Sequence, residues 1–332
     1  MKYLLIILCF FLIGCSGRPT IGMKDQVFGE KAKHIVWIQI PGLSLEHLAF
    51  LKMDLQSANE KVSFERMNCV GGSWSFNLKE LRPDFSSGFN SQILGSKNVK
   101  GTCEDLDRNS VWSYYERAGY SSAIYEAPAR GLKSFTELKS CSTNFNPMKN
   151  SVVWIQDKLP NENYQTFHFQ ENPNQNKVGV YYDKSCSKKG CYSKLRDNVV
   201  NLWKSFSQEL PKTFLMVRDA SFIKAIRNKK YLEAKETLVE LNQVVDFFLA
   251  QSDVSLVITS SEAMGIEFPK AGRSWEMVEK RGLNVNYKRS QLLAPVFAHG
   301  PGAENFCGVY EESEIFKRFL WNPEKNILDL VF

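Results

Sequence analysis

The 332-residue chain is long enough for one large domain or two ordinary ones, with 43% hydrophobic and 23% charged residues, a normal globular balance. Its formal net charge of +6 is mild, and the basic residues are interspersed with acidic ones. That pattern argues against a dedicated nucleic-acid binder and leaves room for an anionic ligand.

The chain opens with MKYLLIILCFFLIGC: a lysine, an apolar run too short to span a bilayer comfortably, then Leu12-Ile13-Gly14-Cys15. This resembles a bacterial lipoprotein signal. The resemblance implies removal of residues 1–14, acylation (palmitate among the chains) at Cys15, and a membrane partnership through that lipid. Ser16, rather than Asp, follows the cysteine. In Gram-negative lipoproteins that implies the outer membrane, facing the periplasm or the surface. Residues 15–32 read as a polar tether and 33–332 as the domain. Of eight cysteines, Cys9 lies in the leader and Cys15 is the lipid site; Cys69, Cys103, Cys141, Cys186, Cys191 and Cys307 remain. In an oxidising compartment an even set suggests disulfides, with Cys186 and Cys191 spaced for a small local loop and the other pairings open.

HIVWIQIPG predicts a buried strand stopped by Pro41-Gly42, and LSLEHLAFLKMDL a helix. RPDFSSGFNSQILGSKNVKG carries a helical beat behind Asp84; GSKNVKG lacks P-loop spacing. SVWSYYERAGY predicts a helix ending near Gly119, with SSAIYEA as the next strand. Residues 128–194, rich in Asn, Ser, Lys and Pro, read as a short irregular cap insertion. Next come a helix in KLRDNVVNLWKSFSQEL and a strand in TFLMVR. KYLEAKETLVELNQVVDFFLAQ is an amphipathic helix with Leu238, Leu241, Val245 and Phe248 on one face. VSLVITS and APVFAHG are further strands, and EESEIFKRFLW a closing helix. Apolar strands alternating with helices predict an α/β fold, a three-layer α/β/α sandwich around a mostly parallel sheet. Ligands in such folds sit at the carboxyl ends of strands. The turns after Ile40, Val217 and Thr259, and the loop holding Asp84, are therefore where chemistry is expected.

APVFAHGPGAENFCGVYEESEIFKRFL resembles the closing segment of alkaline phosphatases, and the stretches quoted above fall into that family's order. The similarity covers roughly residues 33–127 and 195–332. It implies the family's sandwich fold and a serine nucleophile activated by zinc and magnesium. Asp84, Gly95, Lys97 and Gly101 keep the family spacing of the nucleophile loop, which places Phe85 at the serine. The family's metal-ligand positions fall on Pro41, Arg218, Ile223 with Lys224 beside it, Arg227, Ser261, Glu262 and Arg289. Only His34, His47, His168 and His299 exist in the chain. No metal cofactor is therefore expected, and the enzyme reading leans to no.

Ser86 and Ser87 read as a polar turn capping a helix rather than as replacement nucleophiles. Glu262 and Asp84 read as carboxylates met by a nearby cation or helix N-terminus, and His299 as structural. Arg218, Lys224, Arg227 and Arg289 could gather around an anion such as phosphate or sulfate. The resulting expectation is an envelope lipoprotein of alkaline-phosphatase-like fold that binds an unknown protein or an anionic ligand without catalysis. Two alternatives stand beside it: a phosphate- or sulfate-ester hydrolase with a rearranged site, and a structural envelope protein.

Overall fold

The longest apolar runs become the centre of the sheet because both of their faces are covered. A computed structural model describes residues 32–54, 62–127, 150–160, 163–168, 170, 177–188, 190–267, 277, 286–290 and 292–320. The expected leader, Cys15, the tether and Cys141 lie outside the described residues.

The chain begins with β1 (His34–Gln39), α1 (Leu45–Asp54), β2 (Cys69–Trp74), α2 (Phe85–Leu94) and α3 (Val111–Arg117). Next come β3 (Ser121–Ala127), β4 (Val152–Ile155), β5 (Gln165–Phe167), β6 (Gly179–Asp183) and a small hairpin of β7 (Cys186–Ser187) and β8 (Gly190–Cys191). Then follow α4 (Leu195–Glu209), β9 (Thr213–Asp219), α5 (Ser221–Arg227), α6 (Tyr231–Leu249) and β10 (Val254–Thr259). A second hairpin pairs β11 (Met264–Glu267) with β12 (Asn286–Ser290), before β13 (Leu293–His299), β14 (Gly308–Glu311) and α7 (Glu314–Leu320).

The main sheet has ten strands in the order β14-β2-β13-β10-β1-β9-β3-β4-β6-β5. β13 runs antiparallel to both of its neighbours, and every other pairing in this sheet is parallel. The pleat sends alternate residues to opposite faces. Ile38, Val217 and Ile258 pack under α4 and α6 with Trp203, Phe206, Leu241 and Phe248. Trp37, Met216 and Val257 face α2, α3 and α7 with Phe89, Ile93, Trp112 and Ile315. These two cores make the three-layer sandwich expected from the sequence.

One expectation is corrected. The stretch 128–194 is more regular than its composition suggests, because its described part supplies β4, β6 and β5, which extend the main sheet. VVWI is a fully buried strand of four residues, and β5 is shorter still. Runs this short, set among Asn, Lys and Pro, give no readable period. β2 also escapes a sequence reading, since CVGGSW is half glycine and small residues. An added Cβ on Gly71 would lie 2.4 Å from the Phe306 carbonyl oxygen, so the close approach of the 303–306 turn excludes a side chain there. Cys69–Cys307 ties β2 to that turn, Cys186–Cys191 closes the β7–β8 hairpin as its spacing suggested, and Cys103 is disulfide-bonded as well. No described helix is long and apolar enough to cross a membrane.

Candidate functional site

The carboxyl ends of the central strands carry a row of buried polar groups where the run of apolar residues stops. Glu126 on β3 pairs with Arg218 on β9, Arg218 pairs with Gln39 on β1, and Gln39 pairs with Thr259 on β10. Paired residues share a sheet face, so the four form one line across the sheet. All four are buried. Helix α2 lies over this line and joins it together.

Gln92 on α2 is the hub. Its side-chain oxygen accepts from Thr259 Oγ1 at 2.8 Å and from Gln39 Nε2 at 3.3 Å. Its nitrogen donates to Glu312 Oε1 at 2.7 Å and to the Ser260 carbonyl at 3.1 Å. Trp37 Nε1 in turn donates to Thr259 at 2.8 Å. Burial pushes the Glu312 carboxyl up from 4.5 to about 8, and the Gln92 hydrogen bond opposes that rise only in part.

Arg218 lies deeper than an anion-binding arginine would. Its Nη1 is 3.6 Å from Glu126 Oε1, with both side chains almost fully buried. Its guanidinium stands 4.6 Å from the Phe89 ring centroid and 5.0 Å from that of Phe85. The two rings offer their negative faces to the cation, and Glu126 balances its charge. Phe85 thus helps to enclose a buried cation.

A second, outer layer closes the N-terminus of α2. Asp84 is its N-cap and accepts from Ser87 N at 2.8 Å. The Glu262 carboxylate accepts from Phe85 N at 3.0 Å and takes both oxygens to Arg227 Nη2, at 2.5 and 2.6 Å. Arg227 also stands 5.8 Å from the Phe85 ring. Ser261 Oγ donates to the Phe85 carbonyl at 3.3 Å. Glu262 holds a left-handed backbone, φ 51°, an uncommon setting for a residue with a side chain. The carboxylate thus occupies the place where two N–H sources converge on one anion.

The other expected residues divide between this cluster and elsewhere. Pro41 is buried, and Ile223 is buried with its Cβ 3.2 Å from where a side chain on Gly42 would begin. Lys224 is half-buried and makes no ion pair among the described residues. Arg289 lies on β12, but its side chain is outside the described residues. Lys97 turns away to pair with Glu311 and to cover Phe76. Ser86 and Ser87 are buried in the first turn of α2. Gly101 takes φ 70°, and an added Cβ would meet Ser87 N at 2.9 Å, so the Gly95–Gly101 loop folds back onto the start of α2. His34 bonds Thr213 at the opposite, amino-terminal ends of the central strands β1 and β9, His47 bonds Ser44, His168 faces Tyr192, and His299 ends β13. None of the four histidines joins the cluster. Sequence reasoning missed Gln39, Gln92, Glu126 and Glu312. The readable signal was a polar residue inside an otherwise apolar strand, as in WIQIPG and AIYEA.

Zinc sites take histidine, cysteine and carboxylate ligands, and magnesium takes oxygens. The expected ligand positions hold a proline, an isoleucine followed by a lysine, three arginines and a serine, with Phe85 at the expected nucleophile position, and Glu262 is committed to Arg227. That donor set does not fit such ions. Among the described residues, no group of three or more His, Cys, Asp or Glu is placed to hold a metal.

No protein-family model and no curated protein matches the chain in sequence. Solved structures do. The alkaline phosphatase of the Antarctic bacterium TAB5 aligns with a TM-score of 0.66 at 12% identity, covering 88% of this chain and 98% of that one. The cold-active alkaline phosphatase of the psychrophile Shewanella sp. gives 0.66 at 12%, over 86% and 98%. Thermus thermophilus alkaline phosphatase gives 0.63 at 10%, over 88% and 91%. At these identities the likeness speaks to architecture, and architecture does not carry function with it: the chain has an alkaline-phosphatase-like fold.

Proposed function

We propose that this chain is a non-catalytic binding protein, an outer-membrane lipoprotein held by lipid on Cys15. The observation that carries the reading is the Arg218 guanidinium, buried between Phe85 and Phe89 and paired with Glu126. A cation fixed there opposes a divalent ion, and the ring of Phe85 stands where a phosphatase needs a nucleophile. Losing one catalytic group commonly lowers rate by about 10²- to 10⁴-fold, and here nucleophile and ligands are missing together.

The ligand favoured by the chemistry is a small oxyanion at the N-terminus of α2. Phe85 N–H and the partly exposed Arg227 are the donors, with Lys224 one turn before Arg227 on α5. Such an anion takes the place of the Glu262 carboxylate. The test is a thermal melt of the mature protein against inorganic phosphate and sulfate, beside a Glu262→Gln variant. The expected result is a small anion-dependent rise in Tm that grows in the variant, because an amide competes less well for the guanidinium. No anion-dependent rise in either protein sinks the ligand assignment. Elemental analysis and a nitrophenyl-phosphate assay after zinc and magnesium addition test the non-catalytic part; bound metals with turnover would establish the hydrolase reading instead. Radiolabelled palmitate incorporation that is lost in Cys15→Ser checks the anchor.

A further inference from the structure

A second polar concavity lies away from the α2 cluster. It is an open groove with a volume of about 820 Å³, on the face of the sheet covered by α4 and α6. Its walls include Arg66 from the 63–66 turn, Arg196 from the first turn of α4, and Asn242, Gln243, Asp246 and Phe247 from α6. That volume is in the range of small-molecule sites.

The groove is fixed by its own hydrogen bonds. Ser63 N donates to Asn242 Oδ1 at 2.8 Å, which anchors the turn to α6. Phe64 is buried and meets Phe297 edge-to-face, so the turn is held from below. The walls therefore need no large rearrangement to receive a ligand.

The lining sets groups that recognise hydroxyls and acids beside apolar surface from Phe247 and Ala250. Two guanidiniums reach it from different elements. Arg66 pairs with Asp246 at 2.5 Å and Arg196 with Asp197 at 3.4 Å. All four side chains are substantially exposed. Exposed pairs are weak, so a ligand acid competes with Asp246 and Asp197 at little loss. Gln243 offers an amide donor and acceptor, and Asn242 a donor beside the oxygen that accepts from Ser63 N, which suits adjacent hydroxyls. Phe247 supplies one aromatic surface, already approached by Lys204 at 5.5 Å from its centroid. Cations, amides, one acid and a single ring suit a sugar chain bearing carboxylates better than an apolar ligand or a lone phosphate.

We infer that this groove is a binding site for an acidic saccharide, with Arg66 and Arg196 as its acid-binding residues and Phe247 as its ring-stacking wall. The inference is independent of the anion reading at α2.

The experiment is isothermal titration of the full mature protein with a glucuronate-containing tetrasaccharide, with neutral cellotetraose and inorganic phosphate as comparisons. The acidic tetrasaccharide should bind, and cellotetraose should bind at least tenfold more weakly. Arg66→Ala and Arg196→Ala should each weaken binding about tenfold with Tm nearly unchanged, whereas Glu262→Gln should leave it unchanged. Asn242→Ala removes the acceptor that anchors the turn, so Gln243→Ala serves as the amide variant, expected to reduce affinity for both saccharides. Absence of binding at millimolar saccharide overturns the inference. So does equal affinity for the neutral chain, or affinity that survives both arginine variants. Phosphate binding as tightly as the tetrasaccharide, and lost in the same variants, replaces the saccharide with a simple anion.

Discussion

Replacing Glu312 with glutamine should remove much of the alkaline sensitivity of this fold. The Glu312 side chain is buried, one oxygen accepts from Gln92, and the other has no hydrogen-bond partner among the described residues. It also packs on the backbone of α2, since a Cβ added to Gly88 would lie 2.9 Å from Oε1. Burial raises its pKa from 4.5 to about 8. Between those values the native state keeps a proton that the unfolded chain has released, so stability falls as pH rises. The slope is about 1.4 kcal/mol per pH unit. Across the whole interval it amounts to a loss on the order of 5 kcal/mol, complete near the native pKa. Glutamine keeps the acceptor for Gln92 and carries no proton to lose. The assay is urea unfolding of both proteins from pH 5 to 9, read as the difference in ΔG at each pH. Burial also raises Asp219 and Glu240, whose contributions are common to both proteins and cancel in that difference. The variant should gain on the wild type steadily up to about pH 8 and then level off. Parallel curves would refute the argument, because they would mean that Glu312 is ionised in the native protein throughout.

Arg218→Met should destabilise by about 3–5 kcal/mol, since Glu126 keeps a buried charge without its partner, and adding Glu126→Gln should recover most of the loss; guanidinium unfolding of the single and double variants measures both. Gly101→Ala should lower stability by about 1–2 kcal/mol or more in the same assay, from the left-handed φ of 70° and the 2.9 Å approach to Ser87 N. Phe85→Ser alone should yield no phosphatase activity with zinc and magnesium present, and turnover in that variant would show that the ligand positions are misplaced. His47 is buried with its pKa lowered to about 3, so its imidazole should stay neutral in the native state by NMR down to acid pH, and stability should fall as pH drops below 6.5, where the unfolded chain takes up the proton.

The sequence was most legible where one period dominated a long window. HIVWIQ, TFLMVRD and VSLVIT are central strands because they are apolar on both faces, and the heptad-like stripe of Leu238, Leu241, Val245 and Phe248 is the buried side of α6. Strand direction was not legible, because periodicity is the same forwards and backwards, and β13 turned out antiparallel. β2 and β14 were missed for a related reason: Gly71 answers to the neighbouring backbone of Phe306, Gly72 to the Leu293 side chain and Gly308 to its own left-handed φ of 88°, none of which is a pattern along the chain. At the site, Asp84, Phe85, Arg218, Arg227, Ser261 and Glu262 do come together around the start of α2. Their partners were hidden, since Glu126, Gln92 and Glu312 reach them only through sheet register and helix packing.

Those hidden partners decide what the cluster can do. Taken alone, Arg218 and Arg227 suggest a cationic pocket open to an oxyanion. With Glu126 against Arg218 and Glu262 against Arg227, the inner and outer layers are each close to neutral. The two pairs are not equivalent. Arg218 and Glu126 are both withdrawn from water, so separating them strands a charge in the interior. The Arg227 side chain is 36% exposed and that of Glu262 14%, so water can take up what that pair releases. Exchange of an external anion for an internal carboxylate is therefore confined to the outer layer. The left-handed backbone at Glu262 adds to the asymmetry, because a residue in a costly conformation gains freedom when the contacts to Phe85 N and Arg227 are replaced. An anion arriving at α2 would move Glu262 first and leave Arg218, Phe85 and the core beneath them in place.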